Sequence, residues 1–159
     1  MWTPRVLTLV LLATLASPTE AGCLGNLVLT GHSAGHFDGD AASLTVSYGG
    51  VNSGYDSSWM GRGFNVAAFD ATSKALTMSA HFDMYRSTAQ SAAMLSFLTA
   101  LPTGTLVVIL AEDANDFWDS LHPHIGADLE AYMASAFGAE HFGTLAFRDS
   151  YGLIGYKGS

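Results

Sequence analysis

The sequence predicts one α+β domain in which a mixed set of strands is covered by two or three helices. A length of 159 residues fits a single domain with its own core. Short β-branched and aromatic runs that end in glycine or polar turns predict strands, and two longer segments carry apolar residues at helical spacing. The expected element order is β-β-β-β-α-β-α-β-β, which places the helices against the sheets.

The N-terminal segment 1–21 has the three-part layout of a secretory signal peptide. Arg5 precedes the apolar run Val6–Ala16, and the small residues Thr19 and Ala21 occupy the −3 and −1 positions of a cleavage site after Ala21. The run is shorter than the ~20 apolar residues that span a bilayer. We therefore expect a secreted protein without a membrane anchor, with residues 22–159 as its globular domain.

The charge and the cysteine count limit the kinds of partner and crosslink that we expect. The net charge is −8 and there are only six lysines and arginines, so we predict no nucleic-acid partner. Cys23 is the sole cysteine, which excludes an intrachain disulfide. At the start of the mature chain it is either an unlinked thiol or the bridge of a Cys23-linked dimer.

The first part of the domain contains a serine-hydrolase motif. An apolar run at 27–29 predicts a strand and leads into Gly31–Gly35, GHSAG, which matches G-x-S-x-G. The motif requires a turn between a strand and a helix, whereas the alternation in Ser43–Tyr48 predicts another strand. We interpret GHSAG as a glycine-rich bend. The alternative is a small secreted serine hydrolase in which Ser33 works with one of three histidines: His32, His81 or His141.

Two groups of residues resemble metal-ligand spacings. The first is His32, His36, Asp38 and Asp40, and the second is His122-Pro123-His124. Glycines at 31, 35 and 39 disfavour the helix that would bring the first two histidines onto one face. We predict no metal, no cofactor and no catalytic residue.

The middle of the chain places Arg62 at the start of a buried strand. Gly49–Met60 is polar and predicts a loop, and Gly61–Asp70, GRGFNVAAFD, has an apolar run that predicts a strand. A turn at 71–74 and a returning strand at Ala75–Phe82 follow. Arg62 is a candidate ligand-binding residue, and the alternative is that it only pairs with Asp70.

The second half supplies the helices and one fully buried strand. Ser87 or Thr88 caps a helix whose apolar face is Ala93/Met94, Phe97/Leu98 and Leu101. Thr105–Ala111 is apolar throughout and predicts a strand buried on both faces, followed by Asp113. A short helix at Asp116–Leu121 and a longer one at Ile125–Phe137, ended by Gly138, complete this half.

The last segment repeats the pattern of an arginine beside a strand. Thr144–Phe147 and Tyr151–Tyr156 predict the final strands, and Arg148-Asp149-Ser150 connects them. Arg148 is thus the second candidate ligand-binding residue. The alternative is that it pairs only with Asp149.

Five blocks follow one another along the second part of the chain: GRGFNVA at 61–67, FDMY at 82–85, GTLVV at 104–108, AFRDSY at 146–151 and IGYKG at 154–158. In this order they resemble the ILEI domain, the domain of the interleukin-like EMT inducer and pancreatic-derived factor family. That domain is also the stem of protein O-mannose N-acetylglucosaminyltransferase and occurs in cell-surface hyaluronan-degrading proteins. The resemblance runs from about Val46 to Gly158.

The resemblance implies a compact β-β-α fold of two mainly antiparallel sheets flanked by helices, without catalysis. It also implies cytokine-like signalling or binding of a GlcNAc-type glycan, with a glycan or a cell-surface receptor as partner. By motif, the glycan-binding residues of the stem correspond to Arg62, Asp113 and Arg148. Nearby aromatic residues that could stack on a sugar are Tyr85, Trp118 and Tyr151.

The chain departs from the family pattern in two respects. It has only Cys23 where the cytokine-like members form disulfides, and Ala114 stands where the stem has a second acidic residue.

Overall fold

The computed structural model describes residues 7–13, 27–36, 39–48, 51–53, 58–70, 72–85, 87–113, 125–145 and 147–158. The strands in these ranges are β1 (Leu7–Ala13), β2 (Leu27–Ala34), β3 (Ala41–Tyr48), β4 (Val51–Ser53), β5 (Gly63–Phe69), β6 (Leu76–Phe82), β7 (Leu106–Glu112) and β8 (Gly152–Tyr156). The helices are α1 (Ala89–Ala100), α2 (Ala127–Phe137) and a 3₁₀ turn, Phe142–Thr144.

The strands form two four-stranded sheets. The first sheet has the order β1-β2-β3-β4 and the second has the order β6-β5-β7-β8, and every neighbouring pair is antiparallel. The two α-helices pack on the second sheet. The structure therefore confirms the predicted α+β class and its two antiparallel sheets flanked by helices.

The second sheet is the middle of three layers. Its central strands β5 and β7 are buried on both faces, because alternate side chains enter two separate cores. The core between the two sheets contains Leu27, Leu29, Leu44, Val46, Ala67, Phe69, Leu106, Val108 and Leu110. The core between the second sheet and the helices includes Phe64, Val66, Val107, Ile109, Met94, Leu98, Leu129 and Met133.

The helix boundaries follow the predicted signals. The Ser87 hydroxyl accepts a hydrogen bond from the N–H of Ala89 at the start of α1. Gly138 ends α2 in the left-handed conformation and donates to Ala134 O. The buried face of α1 contains Met94 and Leu98 as expected, whereas Ala93 is exposed.

Three expectations about local structure were wrong. GHSAG is not a bend, because β2 continues as a strand to Ala34. The loop expected at Gly49–Met60 includes β4, which forms a hairpin with β3. The strand expected at Thr144–Phe147 is absent at the described residues Thr144, Leu145 and Phe147. Thr144 instead ends the 3₁₀ turn, where its N–H and hydroxyl both donate to His141 O. The helix expected at Asp116–Leu121 lies outside the described residues.

In the N-terminal segment, Leu7–Ala13 pairs antiparallel with β2 as an edge strand. Removal of residues 1–21 as a signal peptide stays a prediction. The cleavage position after Ala21 and Cys23 lie outside the described residues. Within the described part of the chain, neither helix is long and apolar enough to cross a membrane.

Candidate ligand-binding site

Three segments of the two sheets meet at one end of the domain. The register pairs Gly63 of β5 with Glu112 of β7, so Arg62 and Asp113 follow at opposed positions just beyond the two strands. Gly35, directly after β2, forms a parallel bridge with Asp113. A Cβ at Gly35 would collide with the backbone carbonyl of Arg148. The fold thus brings together Arg62, Asp113 and Arg148, which lie far apart in sequence.

Arg62 is held by two neighbours. Its Nε and Nη2 donate to the two carboxylate oxygens of Asp83 at 3.1 and 2.8 Å, and this fork raises the pKa of Arg62. Its Cζ lies 4.4 Å from the centre of the Tyr85 ring. The expected alternative partner, Asp70, instead accepts the N–H groups of Thr72 and Ser73 in the β5–β6 turn. The guanidinium is therefore positioned before any ligand arrives.

Asn65 fixes the loop that carries Arg62. Its amide accepts the Gly61 N–H and donates to Gly61 O, both at 2.8 Å, and it also donates to Leu110 O at 3.3 Å. Asn65 is 1% exposed, in a strand otherwise filled by apolar side chains. In the sequence, Asn65 stands within the apolar run of Gly61–Asp70. A polar amide within such a run indicates a hydrogen-bond partner, because a buried amide is costly without one.

Asp113 lies among charged groups of both signs. Its Oδ1 is 3.3 Å from His36 Nδ1 and 3.8 Å from Arg148 Nε. The same His36 nitrogen is 3.0 Å from both carboxylate oxygens of Asp40. Glu112 lies close by, and its pKa is raised chiefly by burial and also by the carboxylates of Asp40 and Asp113. This end of the domain therefore combines fixed cationic donors with carboxylate acceptors.

A stack of side chains connects the two site arginines. The Tyr85 ring stacks on the Phe147 ring with centroids 6.2 Å apart, and Arg148 Cζ lies 4.7 Å from the Phe147 ring centre. With Arg62 over Tyr85, the order along the stack is Arg62, Tyr85, Phe147, Arg148. The two guanidinium groups thus share one rigid aromatic support.

The aromatic candidates for sugar stacking have different environments. Tyr85 already packs against Arg62 and Phe147. Tyr151 packs edge-on against Phe64 and Phe142 in the core, and burial raises the pKa of its hydroxyl. Trp118 lies outside the described residues. Tyr85 and Tyr151 therefore support the site rather than offer an open ring to a sugar.

Ser33 makes hydrogen bonds that the G-x-S-x-G motif does not predict. It is fully buried in β2, and its hydroxyl donates to Ala111 O and accepts the N–H of Tyr151. Ala111 and Tyr151 belong to the segments that carry Asp113 and Arg148. A nucleophile elbow instead needs an exposed serine on a turn from a strand to a helix. The GHSAG motif thus docks the two site segments onto β2.

The comparison with protein families gives one match. The family model described as interleukin-like EMT inducer, ILEI, matches residues 62–159, which is more than half of the chain. This chain belongs to the ILEI family. The match begins at Arg62 and contains all three candidate site residues.

Two curated relatives are similar over a wider part of this ILEI chain. The cell migration-inducing and hyaluronan-binding protein of Mus musculus is 29% identical over 118 residues, and that of Homo sapiens is 28% identical over 118 residues. Each alignment covers 72% of this chain but 8% of the relative. The chain therefore corresponds to a small part of these larger proteins.

Proposed function

We propose that this ILEI domain is a secreted, non-enzymatic recognition domain that binds a glycan through Arg62, Asp113 and Arg148. The observation that carries the proposal is the meeting of these three side chains at one end of the two sheets. Two of them were selected from local sequence patterns, and the third from the family resemblance.

The three groups offer complementary hydrogen bonding to a sugar. A guanidinium only donates, so the two arginines suit the carbonyl oxygen of an acetamido group, a ring carboxylate or a hydroxyl oxygen. A carboxylate only accepts, so Asp113 suits a hydroxyl proton or an amide N–H. An N-acetylated sugar presents both kinds of group, which makes a GlcNAc-type glycan the ligand class that we propose.

The positioning of the arginines favours binding. Arg62 is fixed by Asp83 and Tyr85, and Arg148 packs on Phe147. Ordering a rotamer-rich side chain on binding costs about 0.5–1.5 kcal/mol, and this cost is reduced when the side chain is already held. The name of the curated relatives, hyaluronan-binding, supports a glycan as partner.

A cell-surface receptor is the second candidate partner. The family description, interleukin-like EMT inducer, favours cytokine-like signalling. In that case the same charged end of the domain would contact protein side chains. A Cys23-linked dimer stays a prediction that a non-reducing gel of the secreted protein tests.

The decisive experiment is a glycan array that includes GlcNAc-terminated glycans and hyaluronan oligosaccharides, probed with the protein as secreted. We compare Arg148→Ala with Lys74→Ala, a matched control in the turn at the other end of β5. Both residues are cations with a left-handed backbone, with φ of 67° and 62°, so both substitutions place alanine under similar strain.

Glycan binding should fall at least about tenfold in Arg148→Ala and be retained in Lys74→Ala, with both variants folded by circular dichroism. An equal loss of glycan binding in both variants would contradict a specific contact between Arg148 and the glycan. Binding by neither the wild type nor the variants would refute the glycan proposal and make a protein receptor the partner to seek.

A further inference from the structure

His36, Asp40 and Asp113 form a group that the glycan proposal does not use as a unit. One nitrogen or oxygen from each lies within 4.8 Å of the other two. His36 and Asp40 are close in sequence, and no metal was predicted at them. The bridge between Gly35 and Asp113 supplies the third member from 73 or more residues further along the chain.

The spacing of these atoms matches the edges of a zinc site. Zinc binds imidazole nitrogen and carboxylate oxygen at about 2.0–2.2 Å in a tetrahedron, which puts neighbouring ligand atoms about 3.4 Å apart. His36 Nδ1 is 3.0 Å from Asp40 Oδ2 and 3.3 Å from Asp113 Oδ1. Three carboxylate oxygens thus surround one imidazole nitrogen.

This arrangement has more acceptors than donors. If Nδ1 carries a proton, its single N–H can point at the Asp40 carboxylate or at Asp113 Oδ1, but not at both. If it carries none, its lone pair faces carboxylate oxygens, which is repulsive unless a cation lies between them. A metal ion would satisfy the nitrogen and the oxygens together.

Asp113 supplies an observation that does not depend on the spacing. Its Oδ1 is buried and accepts no hydrogen bond of normal geometry from the described residues. Arg148 Nε, at 3.8 Å, lies beyond hydrogen-bond distance. A buried carboxylate oxygen without a hydrogen bond is costly, so a further positive group is expected at this atom.

We propose that His36, Asp40 and Asp113 form a binding site for a divalent transition-metal ion of the zinc type. A mixed set of one imidazole and two carboxylates favours zinc over calcium, which prefers oxygen ligands alone. The site lies beside the arginines of the proposed glycan site and shares Asp113 with them.

The test is isothermal titration of the metal-stripped full chain with zinc chloride, without any glycan. The variants His36→Gln and Asp40→Asn each remove a ligand that is not part of the proposed glycan contacts. Their matched controls are His141→Gln and Glu140→Gln, which change an exposed histidine and an exposed carboxylate of the α2–β8 connection. A parallel titration with calcium chloride tests the preference for a nitrogen-containing site.

Both ligand variants should lose zinc affinity at least about tenfold, whereas both controls should bind as the wild type does. The ligand variants should keep the wild-type melting temperature in chelator, because the side chains of His36 and Asp40 are 38% and 44% exposed. Zinc uptake that is equal in the wild type and both ligand variants would overturn the site and indicate binding elsewhere, for example at His122 and His124. Absence of zinc uptake would leave a hydrogen-bonded cluster only, whatever the glycan array shows.

Discussion

Substitution of Asn65 tests whether its hydrogen bonds stabilise the domain and position Arg62. The Asn65→Ala variant removes one buried amide and leaves the rest of β5 unchanged. The prediction concerns two quantities, the free energy of unfolding and the affinity for the ligand. Both should decrease, because Asn65 connects the Gly61 loop, and with it Arg62, to the core strand β7.

The size of the effect follows from the hydrogen bonds. The two bonds with Gly61 are 2.8 Å long and contribute about 1 kcal/mol each, whereas the 3.3 Å bond to Leu110 O is weaker. Gly61 is partly exposed, so water can replace part of what it loses. We expect a loss of about 2 kcal/mol, which corresponds to a fall in melting temperature of about 4–8 °C for a chain of this size.

Urea unfolding followed by circular dichroism measures the loss, with Ser79→Ala on the exposed edge strand β6 as control. The control should stay within about 0.5 kcal/mol of the wild type. A loss below about 0.5 kcal/mol in Asn65→Ala would refute the reasoning, since it would mean that the buried amide contributes nothing net. If ligand affinity were unchanged in Asn65→Ala, the Gly61 loop would not contribute to ligand binding.

Two further predictions concern positions near the same end of the domain. Gly63 has φ of 104°, and an added Cβ would meet a backbone carbonyl of β6, so Gly63→Ala should cost about 3 kcal/mol or more. Gly104→Ala, at φ of 83° with open space around it, should cost only about 1 kcal/mol in urea unfolding, and equal costs would contradict the steric argument. Burial, together with the carboxylates of Asp40 and Asp113, raises the pKa of Glu112 above its ordinary value of 4.5. Between the unfolded-state and folded-state pKa values the folded protein binds more protons than the unfolded protein. The stability due to this proton is therefore lost as the pH rises from 4.5 through the folded-state pKa. Glu112→Gln should remove this loss and flatten the pH dependence of melting between pH 4 and 7, and an unchanged profile would contradict the shift.

The sequence predicted those parts of the fold that depend on neighbouring residues. β5 and β7 were recognised because their residues are apolar at successive positions, and α2 was ended at Gly138 because glycine accepts a left-handed backbone. Arg62 and Arg148 were chosen as candidates from the glycines and strands expected beside them, although the strand expected before Arg148 is not observed at the described residues. Each of these signals lies within a few residues of the feature that it predicts.

The remaining features depend on register and could not be found locally. Ser33 bonds to Ala111 and Tyr151, which are 78 and 118 residues away, so GHSAG resembled an enzyme motif until β2 was placed beside them. Asp70 was the expected acidic partner of Arg62, whereas the pairing of β5 with β6 brings Asp83 within reach instead. Lys157 is a further case, because its ammonium group bonds carbonyls at the end of α1, a helix whose own last turn has no basic residue.

The backbone at the end of the domain that carries the candidate site is less stable than glycine would make it. Four non-glycine residues of the described chain have positive φ, and three of them, Asp40, Asp113 and Arg148, lie at the site. A left-handed backbone costs about 1–2 kcal/mol for a residue with a Cβ. Aspartate can recover part of this through its short polar side chain, but arginine cannot. Glycine at Arg148 would therefore be the more stable choice, so the charged side chain there is better explained by what it contacts than by the stability of the turn.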